Sequence, residues 1–600
     1  MKTRTILLLL LLAPLLVQGQ HVEASWESIN QRGYPEWFTD ARLGIFIHWG
    51  LYSVPAYAGK EGYSEWFYRG LMTGDPERCR IMSLYADTTL PLFEQYRVLA
   101  DHWHGELWNP DEWARLFRKS GARYVVLVTK HHDGYCLWDS PQQPEWNSTV
   151  SGPHRNIVEE LTEAVRREGL RMGFYYSLPE WTNPLHIWMK DPDKNISEYV
   201  EKYMIPQFKE LVSRYRPDLI FADGDWQNTA KQFHSEELIS WYYNTVGADA
   251  IVNNRWGQGT QHGFKTPEYS AAIVEHNIPW AECRGIGRSF GYNRNEDIAN
   301  FMTDRELIQH FCELVANGGG LTLNVGPMAD GTIPFIQQER LLALGRWLSV
   351  NGEAIYGSEP SHNGWRDEHT VRPVMTVQHV HAELPESNTI DFDWVRNAPL
   401  KEMPVDNFSL CWQGIVTAPE KGDYTLVLEA DDEAYVVLKG KDDTILYYNH
   451  GWAENARGRK TLHLKKGERL DLEVSYKEKE LEAAISLKWS SDGVNFEPVP
   501  AKWHGTATWH KTVNCFTQRN NALYVIEFNR PEQTLELFLP ELPENAVATL
   551  LGTSATLTWS QRFDKVSSSN IVTIDLSSID QQEMNALDHA WVIKIDNYSE

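Results

Sequence analysis

A run of the ~20 apolar residues that a membrane-spanning helix requires is missing from this chain. The longest apolar stretch, residues 6–17, falls short of it. That stretch follows Lys2 and Arg4 and gives way to Gln18-Gly19-Gln20, the layout of a signal peptide over residues 1–20. The expectation is a secreted or periplasmic protein without a transmembrane segment. Cysteine is scarce. Cys79, Cys136, Cys283, Cys312, Cys411 and Cys515 are far apart and form no Cys-x-x-Cys pair, and a His-Glu-x-x-His helix is also missing, so zinc and redox chemistry lose their usual signatures. The cysteines read as buried thiols, with one or two bridges compatible with export. Cations are outnumbered, 56 Lys and Arg against 82 Asp and Glu. The net charge of -26 argues against nucleic acid, whose phosphates are bound by clustered cations.

What the chain has in quantity is aromatic side chains: 25 Trp, 26 Tyr and 21 Phe. Most must pack in cores, and the remainder suit the C–H faces of sugars. Six hundred residues exceed a single core, so about three domains are expected. Between residues 26 and 348, short apolar runs at 43–48, 124–130, 171–177, 218–223, 250–255, 280–283 and 321–325 alternate with helical patterns at 112–119, 157–168, 197–215, 304–316 and 336–350. Apolar runs of this kind are strands buried on both faces. They predict a TIM-like (β/α) barrel catalytic domain, with seven strands where closure takes eight. Past residue 360 the helical period gives way to alternation at 424–428, 434–438, 470–476, 484–489, 522–528, 534–539 and 590–595. This predicts a C-terminal β-sandwich at 349–372 and 501–600, interrupted by a second β-sandwich module at 373–500 in which Glu420-Lys421-Gly422 turns a hairpin.

Polar residues collect where the barrel runs end, the edge that carries the active site in such barrels. The fourth run ends in Asp223-Gly224-Asp225-Trp226, which aims Asp223 into the mouth unless it is only a turn residue. His48-Trp49 ends the first run, Lys130-His131-His132-Asp133 the second, and Asn253-Asn254-Arg255 the fifth. Adjacent histidines bind sugar hydroxyls as readily as they bind zinc, and a zinc site needs more ligands than these. Arg255 is placed to orient a carboxylate or a hydroxyl, or to make a surface salt bridge. Two carboxylates about 5–5.5 Å apart are what retaining glycoside hydrolysis needs.

Taken in order, Gly44-Ile45-Phe46-Ile47-His48-Trp49-Gly50, Tyr63-Ser64-Glu65-Trp66, Lys130-His131-His132-Asp133-Gly134-Tyr135, the Asp223 segment, Asn253-Asn254-Arg255-Trp256-Gly257, Phe264-Lys265-Thr266-Pro267-Glu268-Tyr269, Ser289-Phe290-Gly291-Tyr292-Asn293 and Asn324-Val325-Gly326-Pro327 resemble the α-L-fucosidases of glycoside hydrolase family 29 across about residues 37–356. The resemblance implies a barrel followed by a β-sandwich, retaining and metal-free chemistry with no cofactor, and fucosylated oligosaccharides or glycoconjugates as partners. It makes Asp223 the nucleophile. It places His48, Glu65, Trp66, His131, His132, Phe221 and Arg255 around the fucose, with Phe290 facing the methyl group. Phe221 stands where tryptophan is frequent. Many relatives read Trp-Glu where this chain has Trp280-Ala281-Glu282, and a shift of one residue along a strand points Glu282 to the other face. Glu268, in the Phe264–Tyr269 segment, matches the acid of the bacterial branch that the chain most resembles, so the resemblance implies Glu268 as the acid/base.

Within the module, Gly422-Asp423-Tyr424, Glu429-Ala430-Asp431-Asp432-Glu433 and Leu487-Lys488-Trp489 resemble a protective-antigen-type β-sandwich. Paired aspartates hold calcium in some such modules, so Asp431-Asp432 is either a cation site or a solvated turn. Sequons begin at Asn147, Asn195, Asn407 and Asn597. An oligomer is compatible with all of this. Two other readings stay open: a lectin-like protein with an inactive barrel, and a galactosidase on the same fold.

Overall fold

The computed structural model describes residues 21–598 apart from 61, 187–194, 271–277, 362–374, 396, 402, 406, 440–442, 450–457, 480–482, 540 and 566–568. The leader expected at 1–20 lies outside the described residues. Seven parallel strands, β1 (Leu43–Ile47), β2 (Tyr124–Lys130), β3 (Arg171–Ser177), β4 (Leu219–Asp223), β5 (Ile251–Val252), β6 (Ala281–Gly285) and β7 (Gly320–Val325), follow the order β5-β4-β3-β2-β1-β7-β6. The place between β5 and β6 is filled by residues 264–269. Phe264 N–H donates to Val252 O at 3.0 Å on one side, and Cys283 N–H donates to Pro267 O at 2.9 Å on the other. This segment makes only isolated parallel bridges, at Phe264, Lys265 and Glu268. Pro267 has no N–H to offer, which prevents a continuous ladder.

Side chains of successive strand residues point to opposite faces, and burial separates them accordingly. Phe46, Tyr124, Val126, Tyr175, Leu219, Phe221, Phe264, Ala281 and Cys283 form the barrel interior. Ile45, Ile47, Val125, Leu127, Phe174, Ile220 and Leu323 face the helices. Parity carries the interior row upward from Phe46 to His48 and from Leu219 and Phe221 to Asp223.

Among the described residues, six helices of ten or more residues cover the strands: α1 (Pro110–Lys119), α2 (Ile157–Arg167), α3 (Ile205–Tyr215), α4 (Ser235–Val246), α5 (Asp304–Ala316) and α6 (Phe335–Asn351). Asn109 caps α1 by accepting from Asp111 and Glu112 N–H, and Thr303 with Glu306 forms a capping box on α5. The single helix expected at 197–215 is interrupted. A π turn at Val200–Met204 precedes α3, beside Pro206, which cannot donate an intrahelical hydrogen bond. Among the described residues no helix is long and apolar enough to cross a membrane.

One strand, Trp503–Arg519, ties the rest together. Its first half pairs with Phe408–Thr417 and Met375–Ser387, and its second half pairs with Ala522–Glu527. Trp503, Ala507 and Trp509 are buried in the module core, Phe516 in the C-terminal sandwich core, and Cys515 against the barrel. Residues 503–509 thus pack in the module's core, and residues 515 and 516 of the same strand pack beyond it. The Glu420-Lys421-Gly422 turn is not a hairpin: Phe408–Thr417 pairs in the larger sheet, whereas Gly422–Asp431 pairs in the opposing five-stranded sheet. Asp431-Asp432 makes the return crossing, and the Asp432 carboxylate accepts Lys479 N–H at 2.7 Å.

This sharing of one strand sets the result of excising the module. A deletion ending at Pro500 bares Trp503 and Trp509, at about 4–6 kcal/mol of lost burial per tryptophan. One ending at Lys511 removes both. The shorter deletion should aggregate and the longer one should elute as a folded species, which size-exclusion chromatography reads directly.

Candidate active site

The residues singled out from the sequence meet at the C-terminal mouth of the barrel. Asp223 ends β4, and Gly224 follows at φ +92°, where an added Cβ would lie 2.2 Å from Pro179 Cδ. A residue with a side chain would be strained there and would also collide, so glycine lets the chain turn away immediately behind the acid. Tyr175 on β3 donates its hydroxyl to Asp223 Oδ2 at 2.8 Å, Arg255 Nη1 lies 3.3 Å from Oδ1, and His132 Nε2 lies 3.4 Å from Oδ2. Burial alone would raise the Asp223 carboxyl. The His132 contact and the Arg255 charge outweigh it and hold the group well below the usual carboxylate range.

Glu268 stands on the segment that fills the eighth strand position. Its Oε1 accepts from Tyr63 Oη at 2.8 Å, and its Oε2 accepts from Arg255 Nη1 and Nη2, both at 3.2 Å. Arg255 is fixed from behind by Thr266, which takes Nε at Oγ1 and Nη2 at its carbonyl, each at 2.9 Å. One guanidinium nitrogen thus touches both carboxylates. Glu282, by contrast, points out of the barrel to His310 of α5 and toward Arg284 at 3.7 Å, so it is excluded from the mouth.

His48 and His131 are buried, and desolvation pushes the first down to about 4 and the second well below its ordinary value. His48 Nδ1 lies 2.6 Å from Asn324 Oδ1. His131 stacks on Tyr175, its Nδ1 has no protein partner, and the neighbouring Tyr52 hydroxyl also has none. Such buried atoms are suited to ligand hydroxyls. Phe290 packs against His48 and Phe46, with Phe221 on the other side of Phe46, forming an apolar wall. Trp66 and Trp181 lie edge-on, and Trp226, 38% exposed, stacks on Trp66 at the rim. Among the described residues no group of three or more His, Cys, Asp or Glu is arranged to hold a metal ion.

Glu65 accepts Gly291 N–H at 2.8 Å, and burial raises its carboxyl to about 7. A carboxyl raised on folding stabilises the protein fully below its unfolded value and loses that contribution as pH climbs through the folded value. Glu65→Gln cannot ionise. Between pH 4 and pH 8 its unfolding free energy should gain on the wild type by about 3 kcal/mol, measured by denaturant titration at each pH.

Sequence reasoning did not single out Tyr63, Tyr175, Ser177, Thr266 or Asn324 as site residues. Each holds another site side chain, and for Ser177 and Tyr175 the only available signal was strand parity with Asp223.

A model of the Alpha-L-fucosidase family matches residues 10–353, and a PA14 domain model matches residues 370–503. The chain is 40% identical over 374 residues to an alpha-L-fucosidase of Dictyostelium discoideum, covering 60% of this chain and 79% of that protein. It is 39% identical over 355 residues to tissue alpha-L-fucosidase of Homo sapiens, covering 58% and 74%. In structure it is similar to the alpha-fucosidase of Thermotoga maritima in complex with fucose, with a TM-score of 0.61 and 26% identity over 96% of this chain and 99% of that one.

Proposed function

Since the chain belongs to the α-L-fucosidase family, and is therefore a glycoside hydrolase, we propose that it releases terminal α-L-fucosyl residues by double displacement with retention. The observation that carries this reading is the single Arg255 nitrogen between Asp223 and Glu268. Two oxygens at 3.3 and 3.2 Å from one atom cannot be further apart than the sum of those distances. A bound of that size accommodates the about 5–5.5 Å of a retaining pair, the spacing that double displacement uses.

Asp223 attacks C1 while Glu268 passes its proton to the glycosidic oxygen; the C1–O bond breaks and the aglycone leaves as an alcohol. A fucosyl ester on Asp223 remains. Glu268, now a carboxylate, takes a proton from water as the water oxygen attacks C1, and Asp223 departs as a carboxylate. His48, Glu65 and His131 receive the sugar hydroxyls. The Phe46, Phe221 and Phe290 wall offers apolar surface suited to the methyl group of fucose. The signal peptide pattern at 1–20 supports export.

The test is the anomer released first. Proton NMR during hydrolysis should show α-L-fucose before mutarotation makes the β form. Initial β-fucose would overturn double displacement.

A further inference from the structure

The fully buried ring of His132 is held between two sets of oxygens, and counting protons among them fixes its state. Nδ1 lies 2.5 Å from Ser177 Oγ, and Ser177 Oγ lies 2.6 Å from the Pro179 carbonyl oxygen. Contacts this short need a proton between the heavy atoms. Serine has one hydroxyl proton and the Pro179 carbonyl has none, so the serine proton goes to Pro179 and Nδ1 must donate to Ser177. On the other side, Nε2 faces Asp223 Oδ2 at 3.4 Å and Tyr175 Oη at 3.5 Å. The Tyr175 proton is already committed to Asp223 at 2.8 Å. A bare Nε2 would set its lone pair against a carboxylate and find no donor; an Nε2–H is satisfied.

We infer that Ser177 is a positioning residue that fixes His132 with a proton on both ring nitrogens, an imidazolium whose Nε2–H is held on Asp223 Oδ2. The register supports the assignment, because Ser177 is the β3 residue directly paired with Asp223 on β4 and shares its inward face. The other charged or titratable groups near the ring are His48, His131 and Asp133, with Arg255 on the far side of Asp223. Burial holds His48 and His131 in the neutral form at ordinary pH, so His132 and Arg255 are the cations that accompany Asp223.

The consequence is an assignment of atoms, which rests on the reading of Asp223 as the nucleophile. Oδ2 carries two donors, His132 and Tyr175. Among the described residues Oδ1 carries only the 3.3 Å contact with the guanidinium that also holds Glu268, so Oδ1 is the oxygen left to attack C1.

The experiment is selective ¹⁵N-histidine labelling of the full chain, with the His132 signals identified by their loss in His132→Gln. At neutral pH the wild-type ring should show two protonated nitrogens. In Ser177→Ala the Nδ1–H signal should disappear into solvent exchange, and kcat/KM on an activated aryl fucoside should fall about 10- to 100-fold, the range for losing a hydrogen bond to a charged group. Ser177→Thr keeps the hydroxyl and should restore both. A wild-type His132 with one bare nitrogen overturns the inference by itself, whether or not the variants fold. So does a Ser177→Ala enzyme whose ring signals match the wild type. Failure of the nucleophile assignment would leave these ring signals unchanged and would show instead in azide products.

Discussion

Asp223→Gly should lose turnover by roughly 10⁴-fold or more, the scale on which removal of a nucleophile acts. The substitution deletes the group on which Tyr175, Arg255 and His132 converge, and it leaves a space in the barrel mouth. Azide is small and anionic, and the Arg255 guanidinium at the edge of that space attracts it. With an activated α-fucoside and millimolar azide, turnover should return. The product should be the β-fucosyl azide, because azide attacking from the nucleophile's side makes one displacement and inverts. ¹H coupling constants of the isolated azide report the outcome. An α-azide from this variant would mean that another residue still forms the glycosyl ester, and Asp223 would lose its role.

The barrel strands were legible because burial on both faces leaves uninterrupted apolar runs, and all seven runs became strands in the places expected. Their lengths were less legible. The fifth run, expected at 250–255, pairs as a strand only at Ile251–Val252. Beyond it the side-chain amide of Asn253 replaces the ladder, accepting Ala222 N–H at 2.9 Å and donating to Ala222 O at 2.8 Å. An asparagine imitating backbone looks like any polar loop residue in the sequence. The eighth strand position escaped because Lys265, Thr266 and Pro267 interrupt the apolar pattern there, so closure takes a bridge rather than a strand. Helix α4 was hidden by its aromatic content: Trp241, Tyr242 and Tyr243 are consecutive, which blurs the 3.6-residue period. In the sandwiches, alternation singled out seven strands but missed others such as Phe408–Thr417 and Trp503–Arg519, and it did not tell which sheet each joins, hence the misplaced hairpin.

For the site, strand-end placement was enough to single out Asp223, and the one-residue displacement of Glu282 was enough to turn it away from the mouth. Both follow from the period of two along a strand. The residues that hold Asp223, Glu268 and His132 in place were not legible. Tyr175 and Asp223 are 48 residues apart and Tyr63 and Glu268 are 205 apart, and nothing local in a tyrosine distinguishes a ring that positions a carboxylate from one that fills a core.

Glu268→Ala should divide substrates by the quality of their leaving group. General acid assistance contributes typically ~10²–10⁴-fold, and an alkoxide departing from a natural glycan needs all of it. A nitrophenolate leaves without a proton. Turnover of fucosylated oligosaccharides should therefore fall across that range, while an activated aryl fucoside should still form the ester on Asp223 at a substantial rate. Deacylation then becomes slow, because no carboxylate remains to take the proton from water, and a burst of phenolate equal to the enzyme concentration should precede the steady state. Azide needs no such base. It should accelerate the aryl fucoside reaction and give the α-fucosyl azide, the product of two displacements, opposite in configuration to the azide from Asp223→Gly. Removing the side chain also takes away an acceptor shared by Tyr63 Oη and Arg255 Nη1 and Nη2. Tyr63→Phe therefore serves as the control, since it disturbs the same contact but leaves the proton donor. Tyr63→Phe should lower activity on all substrates by a similar factor without a burst. A Glu268→Ala enzyme that turns over natural glycans at the wild-type rate would move the acid role to another carboxyl in the mouth, and Glu65 is the one buried within reach of the same wall.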